Sequence, residues 1–454
     1  MAGNIAQAFE AVARREPRKP VLICSDVALD WRTLDRRAGG FAARLADDGV
    51  GSGDSIALTS ADPVEVVVGI LGALKAGVAV APLNPRLSAD EISRILAELG
   101  PRAIYADARA AEADRAAVDL DGNATGIILF TSGSTARPKG ALLSHDSLAF
   151  GLQSWIDPVL GVGPDDVTLS ALPLAHSFGI FGATLAPLLA GGAVAVLPRF
   201  GPEEAIAAIA RHGVTVFPGV ATMFRRVLDA IGDAPVPSLR RAISGAAPCP
   251  WELAQAWRGR TGTRIVRGYG MTELYRPISF WANDPREQPD AIGLVVPGVE
   301  ARLVQGELWI KSPARLTGYL NQPEATAEVL QDGWFKTGDL ASISDDGFVR
   351  IIGRVKDIIL RGGYTVSAGE VEQVLLAHPA IAEAAVVGTP HAELGEEVVA
   401  FVAFKADAAP TTQDDVIAHC KAHLANYKYP RAVKVMAELP KGATGKIQKS
   451  ALRT

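Results

Sequence analysis

Strand-like and helix-like segments alternate along the chain up to about Gly293, and this alternation restricts the fold more than any other feature. The segment SADEISRILAELG, residues 88–100, has an apolar face at helical spacing. Ser88 and Glu91 form a capping-box pair at its start. Apolar runs such as VAVAPLN at 78–84 are typical of buried strands. Strands that alternate with helices predict an α/β fold, in which mostly parallel sheets are flanked by helices.

The character of the sequence changes after Gly293, where short strands and turns predominate. This pattern predicts a small β-barrel-like subdomain. After Arg354 a further α+β unit is expected. We therefore predict a large N-terminal domain over 1–353, a hinge at 354–356 and a small mobile C-terminal domain over 357–454. A chain of 454 residues is long enough for such a division.

Composition and charge exclude several classes of function. The net charge of −5 argues against a nucleic-acid partner, because such binding needs a basic face. Cys24, Cys249 and Cys420 are far apart, so the sequence predicts no disulfide framework and a reducing, cytoplasmic location. The N-terminal residues lack the apolar core of a signal peptide.

One uncharged stretch, SFGIFGATLAPLLAGGAVAVLP at 177–198, is long enough to cross a bilayer. Pro187 and the pair Gly191-Gly192 divide it into a buried helix that ends at Ala190, a turn and a buried strand. We therefore expect no integral membrane association, with a membrane span as the alternative.

The stretch TSGSTARPKG, residues 131–140, combines hydroxyls, glycines and a lysine after an apolar strand. Backbone N–H groups of a glycine-rich turn and neighbouring hydroxyls suit phosphate oxygens, and Lys139 adds a positive charge. The P-loop of NTPases differs, because its Gly-Lys-Ser/Thr opens a helix, whereas Lys139-Gly140 runs into the strand-like ALLS. A polar hairpin on the surface is the alternative.

The stretch RGYGMTE, residues 267–273, places Tyr269 between two glycines, where its ring suits a purine. Glu273 beside Thr272 suits Mg²⁺ that is shared with substrate phosphates, and a turn with a surface glutamate is the alternative. In GWFKTGDL, Asp339 follows a glycine and suits two ribose hydroxyls, with an Asx turn as the alternative.

Two further motifs lie near the C-terminus. Arg354 opens GRVKD, and the chain then passes through the pair Gly362-Gly363 into a helix with Glu370. Lys446 ends GATGK on a glycine-rich loop, although most terminal lysines are merely solvated.

The order and spacing of these motifs resemble the adenylate-forming superfamily, which includes acyl-CoA synthetases, peptide-synthetase adenylation domains and luciferases. The match covers nearly the whole chain and adds PLAHS at 173–177 and SGAAP at 244–248. The resemblance implies an ATP-dependent acid–CoA ligase. Its carboxylate attacks the α-phosphate of ATP to give acyl-AMP and pyrophosphate, and the thiol of coenzyme A then displaces AMP.

The resemblance also implies roles for individual residues. The catalytic residues would be Lys446, which bridges the carboxylate and the α-phosphate, together with Glu273, Thr131 and His176. Glu273 and Thr131 would hold Mg²⁺, and His176 would line the route between the nucleotide and acyl pockets. The residues that bind the triphosphate would be Thr131, Ser132, Gly133, Ser134, Thr135 and Lys139. Those around the adenine would be Gly245, Ala246, Gly268, Tyr269, Gly270, Met271 and Thr272.

In the same family Asp339 would hold the ribose with Arg354 near it. The C-terminal domain would rotate about Lys356, withdraw Lys446 and bring Gly362 and Gly363 to the thiol channel. Acetylation of Lys446 by a regulatory acetyltransferase and a homodimer are left open.

The acid is not determined by the sequence. Amino-acid-activating relatives carry an aspartate where this chain has Ala175 to Phe178, so a free amino acid is not expected. Arg276 or Arg225, with Arg226, would read a second carboxylate, as in malonate-type ligases. Alternatively, Arg276 faces solvent or the nucleotide, and the acid is a medium-chain or aromatic monocarboxylate.

The acceptor and the enzyme class have alternatives too. The chain has no room for the insertion before the hinge that directs relatives to carrier proteins, so coenzyme A is the expected acceptor. The alternatives are a stand-alone adenylating enzyme that serves a carrier protein and a non-catalytic nucleotide-binding regulator. A zinc site at HCKAH, residues 419–423, is a further alternative.

Overall fold

The structure is a computed structural model that describes residues 3–25, 27–131, 137–232, 234–405, 408–441 and 447–452. The chain forms two compact units. The first comprises Met1–Glu300 and Ile310–Phe335, and the second comprises Ala301–Trp309 and Lys336–Thr454. The expected hinge at 354–356 lies within the second unit, and its action as a hinge stays a prediction.

The α-helices and β-strands alternate through the first unit, as the sequence predicted. The helices are α1 (Ile5–Arg15), α2 (Trp31–Asp47), α3 (Pro63–Ala76), α4 (Ala89–Leu99), α5 (His145–Ser154), α6 (Ala186–Leu189), α7 (Pro202–His212), α8 (Ala221–Ala230), α9 (Trp251–Thr261), α10 (Pro323–Val329), α11 (Ala368–Leu376) and α12 (Gln413–His423). The strands are β1 (Pro20–Cys24), β2 (Val27–Asp30), β3 (Ser55–Leu58), β4 (Ala79–Pro82), β5 (Ala103–Tyr105), β6 (Thr125–Thr131), β7 (Lys139–Ser144), β8 (Val167–Ser170), β9 (Ala193–Val196), β10 (Val216–Gly219), β11 (Arg241–Ser244), β12 (Ile265–Val266), β13 (Gly268–Met271), β14 (Tyr275–Ser279), β15 (Leu294–Val295), β16 (Glu300–Val304), β17 (Glu307–Lys311), β18 (Gly318–Tyr319), β19 (Leu330–Gln331), β20 (Trp334–Ile343), β21 (Val349–Arg354), β22 (Ile358–Arg361), β23 (Tyr364–Ser367), β24 (Ile381–His391), β25 (Gly395–Phe404) and β26 (Ala432–Val435).

Two large sheets organise the first unit. One has the order β12-β11-β10-β8-β9-β1-β2, and its pairs are parallel except for the antiparallel pair of β1 and β2. Every residue of β9 and β10 is buried, as expected for parallel strands that are covered on both faces. Phe217 packs edge-on against Phe224, and both contact Trp257 of α9 in the core beside this sheet.

The other sheet has the order β18-β7-β6-β4-β3-β5. Strands β5, β3, β4 and β6 are parallel, whereas β6, β7 and β18 are joined by antiparallel pairs. The capping box predicted for α4 is present, because Ser88 and Glu91 exchange side-chain and backbone hydrogen bonds. The helix ends at Gly100, which adopts the left-handed conformation that favours glycine.

The uncharged stretch at 177–198 folds as the sequence predicted. A π-helical segment, Phe178–Leu185, leads into α6, and a turn at Gly191 leads into the buried strand β9. In the described part of the chain, no helix has both the length and the apolar character that crossing a bilayer requires.

The second unit contains a sheet of order β23-β22-β25-β24, in which β26 lies parallel to β25. Helices α11 and α12 pack on it around a core that includes Val371, Val416 and Cys420. This arrangement confirms the α+β unit predicted after Arg354. Helix α12 begins at a capping box made by Thr412 and Asp415.

Candidate active site

Three of the predicted motifs follow the carboxyl ends of parallel strands in the first sheet. Residues 173–177 follow β8, residues 244–248 begin at the last residue of β11, and residues 267–273 follow β12. These strands lie in one half of the sheet, in the order β12-β11-β10-β8. Because the carboxyl ends of parallel strands meet at one sheet edge, the fold gathers these motifs where α/β proteins bind ligands.

The turn after β11 has the close backbone approach expected of a binding loop. Ala246 has φ +63°, a left-handed conformation that residues with a side chain rarely adopt. Gly245 is buried, and a Cβ atom there would lie 3.0 Å from Arg276 Nη1 and 3.0 Å from Phe178 Cε1. This turn therefore requires glycine at position 245.

The glycines around Tyr269 are required by contacts in the hairpin of β13 and β14. A Cβ atom on Gly270 would lie 2.0 Å from the carbonyl oxygen of Tyr275, and one on Gly268 would lie 2.4 Å from Arg276 Nε. Tyr269 lies opposite Ile278 and is half-buried. The motif is thus a tight β-turn structure that directs the chain from Tyr269 to Glu273.

Arg276 lies in the interior, so the expectation that it faces solvent is wrong. Its Nη1 donates to Ser244 O at 2.9 Å, its Nη2 to Val266 O at 3.2 Å and its Nε to Ser279 Oγ at 3.0 Å. Burial lowers the pKa of Arg276 to about 9, which leaves it a cation at neutral pH. The guanidinium ties together the ends of β11 and β12. Arg225 and Arg226 are exposed on α8.

The hydroxyl-rich stretch joins β6 to β7, as the sequence predicted. Thr131 lies opposite Lys139, and Ser144 caps α5 by accepting a hydrogen bond from Ser147 N. The helix therefore begins only after β7, which distinguishes this loop from a P-loop. Residues 132–136, which include the predicted phosphate ligands Ser132, Gly133, Ser134 and Thr135, lie outside the described residues.

Tyr319 is a site residue that the sequence reasoning missed. Its hydroxyl donates to Glu273 Oε1 at 2.8 Å, and Lys139 Nζ lies 5.2 Å from the centre of its ring. Burial, and then the negative charge of Glu273, raise the pKa of Tyr319, so the hydroxyl remains a donor. Tyr319 belongs to a two-residue strand in TGYLN, a pattern that indicates no ligand. Only its register opposite Ala141 of β7 brings it to the site.

Arg137 anchors the end of the hydroxyl-rich stretch. Its Nε donates to Glu98 Oε2 at 2.6 Å and its Nη2 to Glu98 Oε1 at 3.0 Å. The hydrogen bond from Arg137 lowers the pKa of Glu98, which stays ionised. Gln322 Nε2 donates to Pro138 O at 2.8 Å and to Glu98 Oε1 at 3.2 Å.

These side chains fit a magnesium nucleotide. Glu273 offers a half-buried carboxylate, Thr131 a hydroxyl and Lys139 an ammonium group. Mg²⁺ prefers oxygen ligands and is commonly held by one or two carboxylates plus substrate phosphates. Lys139 supplies the positive charge that a triphosphate requires. Met271 and Thr272 are half-buried between Tyr269 and Glu273. His176 is half-buried just before the π-helical segment, and its role stays a prediction.

In the second unit, the predicted ribose ligands are neighbours. Asp339 lies opposite Arg354 in the antiparallel pair of β20 and β21, and Arg354 Nε donates to Asp339 Oδ1 at 2.9 Å. Asp339 is 3% exposed, so its carboxylate is held in place by this partner. Gly338, with φ +70°, makes the turn that the sequence predicted. That Asp339 binds ribose stays a prediction.

The turn between β22 and β23 is made by Gly362 and Gly363, whose φ angles are +57° and +82°. Both angles lie in the left-handed region, so this predicted turn favours glycine at both positions. Lys446 lies outside the described residues. The chain on either side of its loop is closed by a bridge between Lys441 and Ile447.

The zinc alternative at 419–423 finds no support in the described residues. Cys420 is buried in the core of the second unit, whereas His423 is exposed. No group of three His, Cys, Asp or Glu side chains in that part of the chain could hold a metal ion.

Comparison with known proteins identifies the family. Residues 9–320 match the model of the AMP-binding enzyme family, and residues 370–446 match that of the AMP-binding enzyme C-terminal domain. Feruloyl-CoA synthase of an Amycolatopsis species is 31% identical, over 97% of this chain and 96% of its own length.

Solved structures agree over the whole chain. ATP-bound MatB from Rhodopseudomonas palustris has a TM-score of 0.92 and 31% identity, with 99% of this chain and 98% of that chain covered. The O-succinylbenzoate coenzyme A synthetase MenE from Bacillus subtilis, in complex with ATP and magnesium ion, has a TM-score of 0.89 and 28% identity. The two chains cover 99% of each other. These matches confirm the predicted fold and superfamily, and the chain belongs to the AMP-binding enzyme family.

Proposed function

We propose that this enzyme binds MgATP between the β6–β7 hairpin and the 267–273 motif and there converts an acid to its acyl-adenylate. The chain is an AMP-forming acid–CoA ligase that uses ATP, Mg²⁺ and coenzyme A. The observation that carries the proposed site is the arrangement of Lys139, Tyr319 and Glu273. It sets a cation and a carboxylate beside one buried tyrosine, on elements that also carry the hydroxyl-rich stretch and the adenine motif.

The chemistry asks the protein mainly for alignment and charge neutralisation. A carboxylate oxygen forms a bond to the α-phosphorus while the bond to the pyrophosphate oxygen breaks. The sulfur of coenzyme A then bonds to the acyl carbon, and AMP leaves with the electron pair of the broken C–O bond. Bound Mg²⁺ offsets phosphate charge. Lys139 would neutralise the phosphates, Glu273 and Thr131 would hold the metal, and the turn at Gly245 would flank the adenine.

The second unit would supply the remaining groups. Asp339, oriented by Arg354, would accept hydrogen bonds from the ribose hydroxyls. Lys446 would contact the carboxylate and the α-phosphate in the first half-reaction. Rotation about Lys356 would then bring the turn at Gly362 and Gly363 to the thiol. The contact between Asp339 and Arg354 supports the ribose assignment, because it holds a buried carboxylate in a fixed orientation.

For the acid, we propose a monocarboxylate of medium length or with an aromatic ring. All three nitrogens of the Arg276 guanidinium already donate to protein oxygens, which argues against a second carboxylate as their partner. A dicarboxylate remains the second candidate, because a buried cation without a carboxylate partner attracts anions. A cytoplasmic location, a homodimer and acetylation of Lys446 rest on the sequence alone.

The direct experiment measures two activities of the purified protein. Acid-dependent exchange of pyrophosphate into ATP reports the first half-reaction, and AMP release with coenzyme A reports the whole cycle. Both are measured across short, long, aromatic and dicarboxylic acids. A carrier-protein enzyme would show exchange without AMP release to coenzyme A, and a non-catalytic regulator would show neither. Glu273→Gln should weaken the response of the exchange reaction to Mg²⁺.

A further inference from the structure

We propose that Tyr319 is a positioning residue, which orients the carboxylate of Glu273 toward Mg²⁺ and keeps it apart from Lys139. The inference rests on the proposed roles of Glu273 and Lys139. It adds a residue outside the motifs that the sequence indicated, because Tyr319 lies 46 positions from Glu273 in the chain.

The first argument concerns the two oxygens of Glu273. Oε1 accepts the hydroxyl hydrogen of Tyr319 at 2.8 Å, whereas Oε2 accepts no hydrogen bond from the described residues. A carboxylate with one oxygen held by a protein donor keeps its other oxygen for a ligand. Hydrogen bonds of this kind orient the carboxylates that bind metals, and their removal commonly weakens metal binding about 10- to 100-fold.

The second argument concerns the separation of opposite charges. Among the described residues Lys139 and Glu273 make no ion pair, although both contact Tyr319. The Lys139 ammonium lies over the ring face, where the ring quadrupole attracts a cation. The carboxylate binds the hydroxyl at the edge of the same ring. Tyr319 therefore gives each charged group a partner and leaves both groups ready for the phosphates and their metal.

The third argument concerns how firmly Tyr319 itself is held. Its side chain is buried, and its backbone N–H donates to Thr326 Oγ1 at 2.8 Å. The adjacent Leu316 N donates to the carbonyl oxygen of Glu273 at 2.8 Å. Both the tyrosine and the backbone of the carboxylate residue are thus anchored in the same short segment, and this fixed support is what a positioning residue needs.

The same segment also holds the stem of the phosphate-binding stretch. Asn321 Nδ2 donates to Glu98 O at 3.0 Å, and Gln322 donates to both Glu98 Oε1 and Pro138 O. Residues 319–322 therefore contact the metal-ligand candidate on one side and the residue before Lys139 on the other. This double contact links the positions of the two phosphate-facing groups.

The chain contains a matched control for Tyr319. On β5, at the opposite edge of the same sheet, the Tyr105 hydroxyl donates to Asp48 Oδ2 at 2.7 Å. The guanidinium of Arg44 lies 5.0 Å from the centre of the Tyr105 ring. Tyr105 is buried like Tyr319, so Tyr105→Phe and Tyr319→Phe each remove a buried hydroxyl that is bound to a carboxylate beneath a cation.

The experiment compares the two variants by titration calorimetry with MgATP and by the Mg²⁺ dependence of acid-dependent pyrophosphate exchange. Tyr319→Phe should raise the dissociation constant for MgATP and the half-saturating Mg²⁺ concentration about tenfold. Tyr105→Phe should change neither. Equal responses of the two variants, or a loss of stability in Tyr319→Phe with unchanged Mg²⁺ dependence, would overturn the inference.

A double-mutant cycle separates this inference from the proposed function. If Tyr319 acts through Glu273, Tyr319→Phe should have no further effect on MgATP affinity in a Glu273→Gln background. An undiminished effect there would refute positioning through Glu273. If Glu273→Gln alone leaves the Mg²⁺ dependence unchanged, the proposed metal ligand is wrong. An effect of Glu273→Gln without one of Tyr319→Phe would reject only the role of Tyr319.

Discussion

The backbone N–H of Ile5 donates to His145 Nδ1 at 3.2 Å, so the first residue of α1 is bonded to a histidine at the start of α5. The His145 side chain is 0% exposed. Burial lowers its pKa to about 4 from an ordinary 6.5, although Asp146 acts in the opposite direction. Nδ1 accepts a hydrogen bond only when it carries no proton, so the folded state requires the neutral imidazole.

This histidine predicts a loss of stability in mild acid. The unfolded chain binds a proton at His145 below pH 6.5, whereas the folded chain resists protonation down to about pH 4. Stability therefore falls as the pH falls through this window, by at most about 3 kcal/mol. Urea unfolding of the wild type and of His145→Gln between about pH 7 and pH 5 measures the contribution. The exposed His391, as His391→Gln, is the control, and a His145→Gln slope as steep as that of the wild type would contradict the prediction.

Lys446→Ala should separate the two half-reactions. The resemblance to the family assigns Lys446 to the meeting point of the carboxylate and the α-phosphate, and not to thioester formation. We expect acid-dependent pyrophosphate exchange to fall by a factor of about 100 or more. The conversion of supplied acyl-AMP and coenzyme A to thioester should be retained. Lys421→Ala, which alters an exposed lysine of α12, should leave both reactions unchanged. An equal loss of both half-reactions in Lys446→Ala would reject the assignment.

Gly270→Ala should damage the adenine motif through the backbone. The new Cβ atom would lie 2.0 Å from the carbonyl oxygen of Tyr275, so the hairpin of β13 and β14 must distort. We expect a KM for ATP at least tenfold higher and a lower melting temperature. Gly259→Ala is the control, because Gly259 lies in α9 with nothing within 4 Å of the added carbon. That exchange should be neutral or stabilising, by up to about 1 kcal/mol. A Gly270→Ala enzyme with normal ATP kinetics would contradict the packing argument.

Local patterns made much of this fold predictable. The Ser88–Glu91 capping box, the glycine after it and the buried run of β9 each carry their structure within a few neighbouring residues. The strand–loop–strand assignment of 131–140 succeeded for the same reason, because Lys139-Gly140 leads into a strand and not a helix. Helix–strand alternation then specified parallel sheets, and parallel sheets place the motifs at one edge.

Long-range contacts accounted for what the sequence did not predict. Tyr319 reaches Glu273 only because β18 joins the edge of β7, and no periodicity reports which strand occupies an edge. Arg276 appeared as a charge in a mixed stretch, and its burial depends on acceptors from two strands that precede it in the chain. Pairing across such distances is decided by the packing of the whole unit, which a local reading of the sequence does not contain.

Arg276→Met tests whether the buried guanidinium supports the nucleotide site or reads the acid. The substitution keeps an apolar stem but leaves Ser244 O and Val266 O without their donor, at a cost of about 1–3 kcal/mol for each unsatisfied group. Because these carbonyls end β11 and β12, directly before the Gly245 turn and the 267–273 motif, those motifs should shift. We expect a KM for ATP about tenfold higher and an unchanged ratio of dicarboxylate to monocarboxylate turnover.

Two further variants sharpen this test. Arg276→Lys should recover part of the ATP affinity, because an ammonium group reaches one acceptor but lacks the planar fork that spans two strands. Arg225→Met, which alters an exposed residue of α8, should change neither the KM for ATP nor the acid preference. The support role predicts that ATP affinity follows the number of strand-end carbonyls still bonded, whichever acid is supplied. A selective loss of dicarboxylate turnover in Arg276→Met, with normal ATP affinity, would instead identify the guanidinium as the reader of a second carboxylate.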